Sequence, residues 1–199
     1  MKEMWNSRYG ELQFAYGTEP NVFFKEQIDA LPVGKILLPS EGEGRNAVYA
    51  ASLGWDVVAF DFSAEGKQKA LQLAESQGVT IRYFVSDAAE FDIDETFDVV
   101  ALIYAHLPPS VRKAFNAKIP KFLKPNGLLI AEVFSPNQIL NNRPSGGPKD
   151  VSMVYDIDLF KTEFPTLKVL IAEELTVELS EGLYHNGLGD VVRFVGQKV

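Results

Sequence analysis

The chain has 199 residues, 46% of them hydrophobic, enough to bury the core of one domain without cross-links. It contains no cysteine, which excludes disulfides, zinc–thiolate sites and cysteine nucleophiles. A formal net charge of -8 and a pI near 4.8 repel polyanions and argue against nucleic acid as a partner.

Met1 to Tyr16 is mixed and aromatic, with no apolar core of signal-peptide length. No stretch approaches the ~20 apolar residues that span a bilayer, so the reading is a cytoplasmic protein without a membrane partner. Lys35–Pro39 (KILLP) is a short apolar strand. Asn46–Leu53 is Ala-rich and helical, and Gly54 sits where a C′ glycine belongs. Trp55–Asp61 is a β-branched strand, and Ala64–Gln77 is a helix with Ala70, Leu71 and Ala74 at helical spacing. Thr80–Val85 and Phe97–Ile103 are further strands, the latter apolar enough to be buried on both faces.

Val111, Phe115, Ile119 and Phe122 form one helical stripe, which Pro120 must kink or break. Lys124-Pro-Asn-Gly127 is a turn leading to a buried strand, Leu128–Phe134. Residues 135–155 are rich in Asn, Pro, Gly and Ser; an unstructured connection of this length is an active-site loop or a disordered insertion. Leu167–Leu179 alternates apolar and polar residues, with Glu173 the one break, and Asp190–Val195 is a last strand. No helix separates these two, so they pair antiparallel. The expected fold is α/β: a Rossmann-like, doubly wound, mostly parallel seven-stranded sheet with helices on both faces and a C-terminal antiparallel β-hairpin. Residues 1–199 are expected to form a single domain.

The first strand ends in Ser40-Glu-Gly-Glu-Gly-Arg-Asn-Ala47, where a helix begins. Glycines let the backbone turn sharply and let a ligand approach, and the new helix turns its free N–H groups toward that ligand. The next strand ends in Asp61, whose carboxylate can accept both hydroxyls of a ribose. This combination points to an adenosine-containing cofactor. Gly42 to Ala47 also fits the dinucleotide pattern G-x-G-x-x-G/A, which leaves an NAD-binding oxidoreductase as an alternative. Two features favour S-adenosylmethionine (SAM). Glu41 and Glu43 flank the glycines and would repel a pyrophosphate, whereas SAM carries an ammonium and a sulfonium. The chain also ends in a helix-free hairpin.

These residues resemble the class I SAM-dependent methyltransferases, in the group related to the tellurite-resistance and thiopurine methyltransferases. The likeness runs through Trp5–Tyr9, Phe14–Asn21, Glu41–Ala47, Phe97–Val100, Leu123–Leu128 and Glu181–Gly187. The usual pattern has a further glycine and an earlier acidic residue where Ser40 and Leu38 stand, which keeps a SAM-binding protein without turnover as a third reading. The resemblance implies that residues 1–30 form a lid carrying Arg8, Tyr9 and Tyr16. It places Ser40, Gly42 and Gly44 along the methionine part of SAM, Asp61 at the ribose, Phe62 against adenine and Asp87 at the adenine amino group. Tyr16, Arg45, Asn46, Ser63, Ala88 and Ile103 complete the expected cofactor set.

Methyl transfer is an in-line displacement from a sulfonium to a small-molecule acceptor and needs no metal. It requires alignment, exclusion of water and, for some acceptors, a base. His106, which follows the fourth strand, is either that base or a cap of the next helix. Glu181, His185 and Arg193 border the acceptor by resemblance, although an isolated histidine is more often inert. Acceptor identity and oligomeric state have no signature in the sequence.

Overall fold

Two short helices missing from the sequence reading open the chain, α1 (Lys2–Tyr9) and α2 (Val22–Asp29). The computed structural model describes residues 2–199, Lys2 by its backbone alone; Met1, the first residue of the expected lid, lies outside them. Asn21 starts α2 by accepting the Phe24 N–H at 2.9 Å. Phe23, Phe24 and Ile28 then point into the core.

The chain continues as β1 (Lys35–Pro39), α3 (Arg45–Ser52), β2 (Asp56–Asp61), α4 (Ala64–Ser76), β3 (Arg82–Val85) and β4 (Phe97–Ile103). It goes on through α5 (Pro109–Asn116), α6 (Ile119–Phe122), β5 (Leu123–Phe134), α7 (Pro136–Leu140) and α8 (Ile157–Glu163) to β6 (Leu167–Glu181) and β7 (His185–Lys198). The seven strands form one sheet in the order β3-β2-β1-β4-β5-β7-β6. The first five run parallel; β7 is antiparallel to both β5 and β6. This is the expected doubly wound sheet with its closing hairpin.

Alternation along the strands supplies two cores. Ile36, Leu38, Val57 and Ala59 pack toward α2, α3 and α4, while Leu37, Val58, Phe60 and Val100 pack toward α5, α6 and α8. Because β1 lies between β2 and β4, consecutive crossovers leave it in opposite directions. A crevice therefore opens beyond its carboxyl end.

Several local readings change. The stripe from Val111 to Phe122 breaks at Ala117–Lys118, and Pro120 sits in the first turn of α6, where a missing N–H costs nothing. Leu71 is exposed; α4 buries Gly66, Ala70, Leu73 and Ala74 instead. Lys124–Gly127 does turn, with Asn126 at φ 64°, so Phe97 pairs with Leu123 and Val99 with Leu128. Residues 135–155 are not an unstructured excursion. They hold α7 and a short 3-10 helix (Val151–Met153). Gln138 pins the segment by donating to Ser145 Oγ at 3.0 Å and Gly146 O at 2.9 Å, and Ser145 Oγ donates to Leu188 O at 2.8 Å.

Candidate active site

A cavity of about 660 Å3 occupies the crevice beyond β1, β2 and β4. Ser40, Glu41, Gly42, Glu43, Arg45 and Asn46 line it from the first turn, and Asp61 and Phe62 from the end of β2. Ile103, Tyr104, His106 and Leu107 follow β4, and Phe134 ends β5. Trp5, Arg8, Tyr9 and Tyr16 cover it from the N-terminal segment, and Gly147 to Asp150, Met153 and His185 close the remaining side.

The turn is shaped by backbone requirements. Ser40, Gly42 and Gly44 take φ 54°, 60° and 85°, the left-handed region. Ser40 thus reproduces with a small side chain the conformation that glycine adopts without strain, at a cost of about 1 kcal/mol. A Cβ on Gly42 would stand 2.6 Å from the Tyr9 hydroxyl, and one on Gly44 would stand 2.5 Å from Ala70 Cβ. Gly44 therefore serves helix packing, whereas Gly42 lets α1 close over the turn. Tyr83 holds the turn from below, its hydroxyl donating to Gly42 O at 2.6 Å.

Asp61 accepts N–H bonds from Gly42 at 3.2 Å and Ser63 at 2.9 Å. Burial outweighs those bonds and raises its pKa to about 6. Glu41 accepts the Ala47 N–H at 2.8 Å, and burial likewise raises it to about 7. Glu43 has other partners. It pairs with Lys69 at 2.8 Å and accepts the Ala15 N–H at 2.7 Å, fastening the N-terminal segment to the turn.

The opposite wall rests on two buried carboxylates, Glu181, expected from the sequence, and Glu132, which was not. Glu132 (2% exposed) accepts from Asn21 Nδ2 at 2.6 Å, Tyr104 Oη at 3.0 Å and Arg193 Nε at 2.7 Å. Glu181 (8% exposed) accepts from Asn21 Nδ2 at 2.9 Å, Arg45 Nη2 at 2.8 Å and His185 Nδ1 at 3.1 Å. One amide thus bridges both acids. Tyr104 follows β4 at φ 51°, a costly conformation for a large side chain. Its N–H to Glu132 O at 2.8 Å and its hydroxyl bond to the same residue hold it there. Burial pushes the Glu181 carboxyl up, but the bonds from His185 and Arg45 prevail and leave it at about 2. Burial also lowers the His185 pKa, against the opposing pull of Glu181. His185 is therefore neutral near pH 7, with its proton on Nδ1. Its Nε2 makes no hydrogen bond among the described residues, and its ring lies 4.4 Å from both Tyr16 and Tyr104 and 5.2 Å from Phe134.

The two histidines differ sharply. His106 Nε2 accepts the Phe134 N–H at 3.1 Å, so its proton is on Nδ1, facing Met153 O at 2.9 Å. Burial lowers its pKa to about 4. Both nitrogens are committed to joining β5 to the 135–155 segment, which leaves no lone pair for a substrate. Nor does His106 cap α5, whose first turn begins at Pro108.

Of the other residues singled out in the sequence, Gly44, Ser63, Asp87, Ala88, Glu181 and Arg193 do not line the cavity. Ser63 caps α4 by accepting the Gly66 N–H at 3.1 Å. Asp87 is exposed and accepts the Ala89 N–H at 2.8 Å within its own turn, beside buried Ala88. Arg193 lies behind Glu132, its guanidinium 4.8 Å from the Phe23 ring. Glu181 acts on the cavity only through Arg45 and His185. Asn21 and Glu132 did leave signals in the sequence: an Asn directly before an apolar helix, and one carboxylate inside an otherwise apolar strand.

A methyltransferase-domain family model matches residues 36–127. A probable thiol methyltransferase 2 from Arabidopsis thaliana is 26% identical over 159 residues, covering 77% of this chain and 68% of the relative. Thiocyanate methyltransferase 1 from Brassica oleracea is 30% identical over 112 residues, covering 53% of this chain and 48% of the relative, so the chain spans only about half of that protein. Among solved structures, TehB from Haemophilus influenzae superposes with a TM-score of 0.74 at 15% identity, covering 100% of this chain and 67% of that one. The match gives residues 36–127 as a methyltransferase domain, and the fold around the cavity is similar to that of solved SAM-dependent methyltransferases.

The carboxylate network generates a stability prediction. Glu132→Ala leaves Arg193 and the Tyr104 hydroxyl without their acceptor and takes one of two from Asn21, and removing one member of a buried ion pair costs about 3–5 kcal/mol. Urea denaturation is expected to show a loss of that size, with a smaller loss for Glu132→Gln, which retains an acceptor oxygen.

Proposed function

We propose that the protein transfers the SAM methyl group to a small thiol in the cytoplasm, as one domain in which residues 1–30 form a lid and residues 135–155 a wall of the site. The observation that carries this reading is the environment of His185: a neutral imidazole, oriented by Glu181, with Nε2 free among aromatic rings at one end of the cavity. The similarity to a probable thiol methyltransferase and a thiocyanate methyltransferase supports a sulfur acceptor. So does the wall itself, because Tyr16, Tyr104 and Phe134 offer rings that attract polarisable sulfur.

The cavity residues fit SAM. Asp61 and Glu41 face the cavity with carboxyl oxygens suited to ribose hydroxyls and a cationic ligand, whose positive charge favours their ionised forms. Gly42 leaves the turn bare where the ligand comes near. In this reading Asp61 holds the ribose, Phe62 lies against the adenine, and Ser40, Glu41 and Gly42 line the methionine part. Tyr16 and Ile103 cover it, and Arg45 and Asn46 secure the turn. When bound, SAM supplies a methyl group on a sulfonium, whose departure leaves a neutral thioether.

The protein's part is alignment, exclusion of water and removal of one proton. His185 Nε2 accepts the thiol proton, and the Glu181 carboxylate stabilises the imidazolium so formed, as a buried carboxylate does in other histidine dyads. Tyr104 and Phe134 keep water from the sulfur.

The reading is tested by transfer of labelled methyl groups from SAM to thiols. General-base catalysis is worth about 10²–10⁴-fold, so His185→Ala is expected to lower kcat by at least about 100-fold while S-adenosylhomocysteine still binds. His106→Ala should chiefly lower the thermal midpoint. Equal turnover by His185→Ala and the parent protein contradicts the assignment.

Cofactor affinity should also depend on pH. Ribose hydroxyls need an ionised Asp61, and Asp61 sits at about 6. Affinity therefore rises as pH increases through 6, and SAM should bind about tenfold more weakly at pH 5 than at pH 7.5. The sign for stability is opposite. An unfolded chain releases this proton near the ordinary carboxylate value, so the empty protein loses stability between about pH 4 and 6. Calorimetric titration across this range checks the prediction, and Asp61→Asn should flatten the slope.

A further inference from the structure

A second chamber of about 380 Å3 adjoins the cofactor cavity and shares Arg8, Tyr16, Gly147 and Lys149 with it. Its wall holds three cationic side chains, Arg8, Arg143 and Lys149, and no carboxylate. Arg143 is neutralised by a two-pronged pair with Asp190 at 2.6 and 3.1 Å. Arg8 and Lys149 have no carboxylate partner among the described residues. Arg8 is nonetheless held in place: it donates to Tyr16 Oη at 2.9 Å, and its guanidinium lies 4.1 Å from the Tyr184 ring and 4.9 Å from Trp5.

In a chain of net charge -8, two unpaired cations around one concave surface are a local reversal of sign. The adjoining cavity shares Arg8 and Lys149 on this side, while its far side carries Glu41, Asp61 and the Lys69-paired Glu43, with Arg45 paired to Glu181. Carboxylates free of ion pairs among the described residues therefore lie around the first turn and the end of β2, and unpaired cations lie toward the second chamber. The two regions meet at the hairpin, where Tyr184 lines the second chamber and His185 lines the cofactor cavity. The Tyr16 ring stands between them, 6.1 Å from Tyr184 and 4.4 Å from His185.

We propose that this chamber is an anion subsite for the methyl acceptor and takes the carboxylate of a short thiol acid, whose sulfur lies beside His185. The inference rests on the methyltransferase reading above and adds the charge class of the substrate. A stacked, pre-positioned guanidinium suits a carboxylate, and Lys149 adds a point charge on the shared wall. The short path past Tyr16 calls for a small spacer between carboxylate and sulfur.

The test is calorimetric titration of the full chain, first with S-adenosylhomocysteine and then, on the saturated protein, with mercaptoacetate or its methyl ester. Mercaptoacetate is expected to bind at least tenfold more tightly than the ester. Arg8→Gln and Lys149→Gln should each shrink that preference, and Arg8→Lys should recover part of it; thermal melts confirm that the variants are folded. Equal binding of acid and ester, a preference unchanged in both glutamine variants, or no binding of mercaptoacetate to the saturated protein overturns the subsite and leaves the methyltransferase reading intact. Failure of S-adenosylhomocysteine itself to bind removes both.

Discussion

The acceptor side of the site depends on two buried carboxylates, Glu132 and Glu181, that share the side-chain amide of Asn21. Buried charge is tolerated only when desolvation is offset by close partners. Here the partners come from distant parts of the chain: Asn21 before α2, Arg45 at the start of α3, Tyr104 after β4, and His185 and Arg193 on β7. The network is therefore a registration device. It can be satisfied only when the N-terminal segment, the cofactor turn and the C-terminal hairpin all reach their native places. Tyr104 shows the consequence, because its left-handed backbone is held by two bonds to Glu132.

The acids around the site divide by environment. Glu181 has cationic and histidine donors and stays at about 2, a permanent negative charge behind His185. Asp61, buried, and Glu41, half-buried, have backbone and amide donors but no ion pair among the described residues, and rise to about 6 and 7. The first arrangement orients the His185 imidazole. The second leaves carboxylates whose unmet demand for a cation or hydroxyl donors suits a ligand such as SAM. The same residue type thus takes two roles, separated by what lies within 3 Å of each oxygen.

The strands and the cofactor turn were legible in the sequence because their causes are local. KILLP, WDVVAFD and FDVVALI are apolar runs of strand length, and the glycines of Glu41–Ala47 mark a turn wherever they fall. Helix α1 was not legible, since KEMWNSRY has no apolar stripe; its place depends on tertiary contacts such as Tyr9 against Gly42. Residues 135–155 read as loop because α7 and the 3-10 helix are too short to show a period, and Gln138 and Ser145 fix the segment through long-range bonds. The histidines illustrate the same limit. Nothing near His106 or His185 in the sequence reveals that one spends both nitrogens on backbone while the other keeps Nε2 free.

In the proposed function the turn after β1 and the carboxylate ending β2 together hold the adenosyl part of SAM, with the reactive end directed toward Tyr104 and His185. A crystal structure of the complex with S-adenosylhomocysteine tests this most directly. Ribose hydroxyls are expected on the Asp61 carboxylate, and the thioether sulfur on the side of the cavity walled by Tyr104 and His185. A ligand lying in this cavity without touching Asp61, or with its sulfur turned away from that wall, contradicts it.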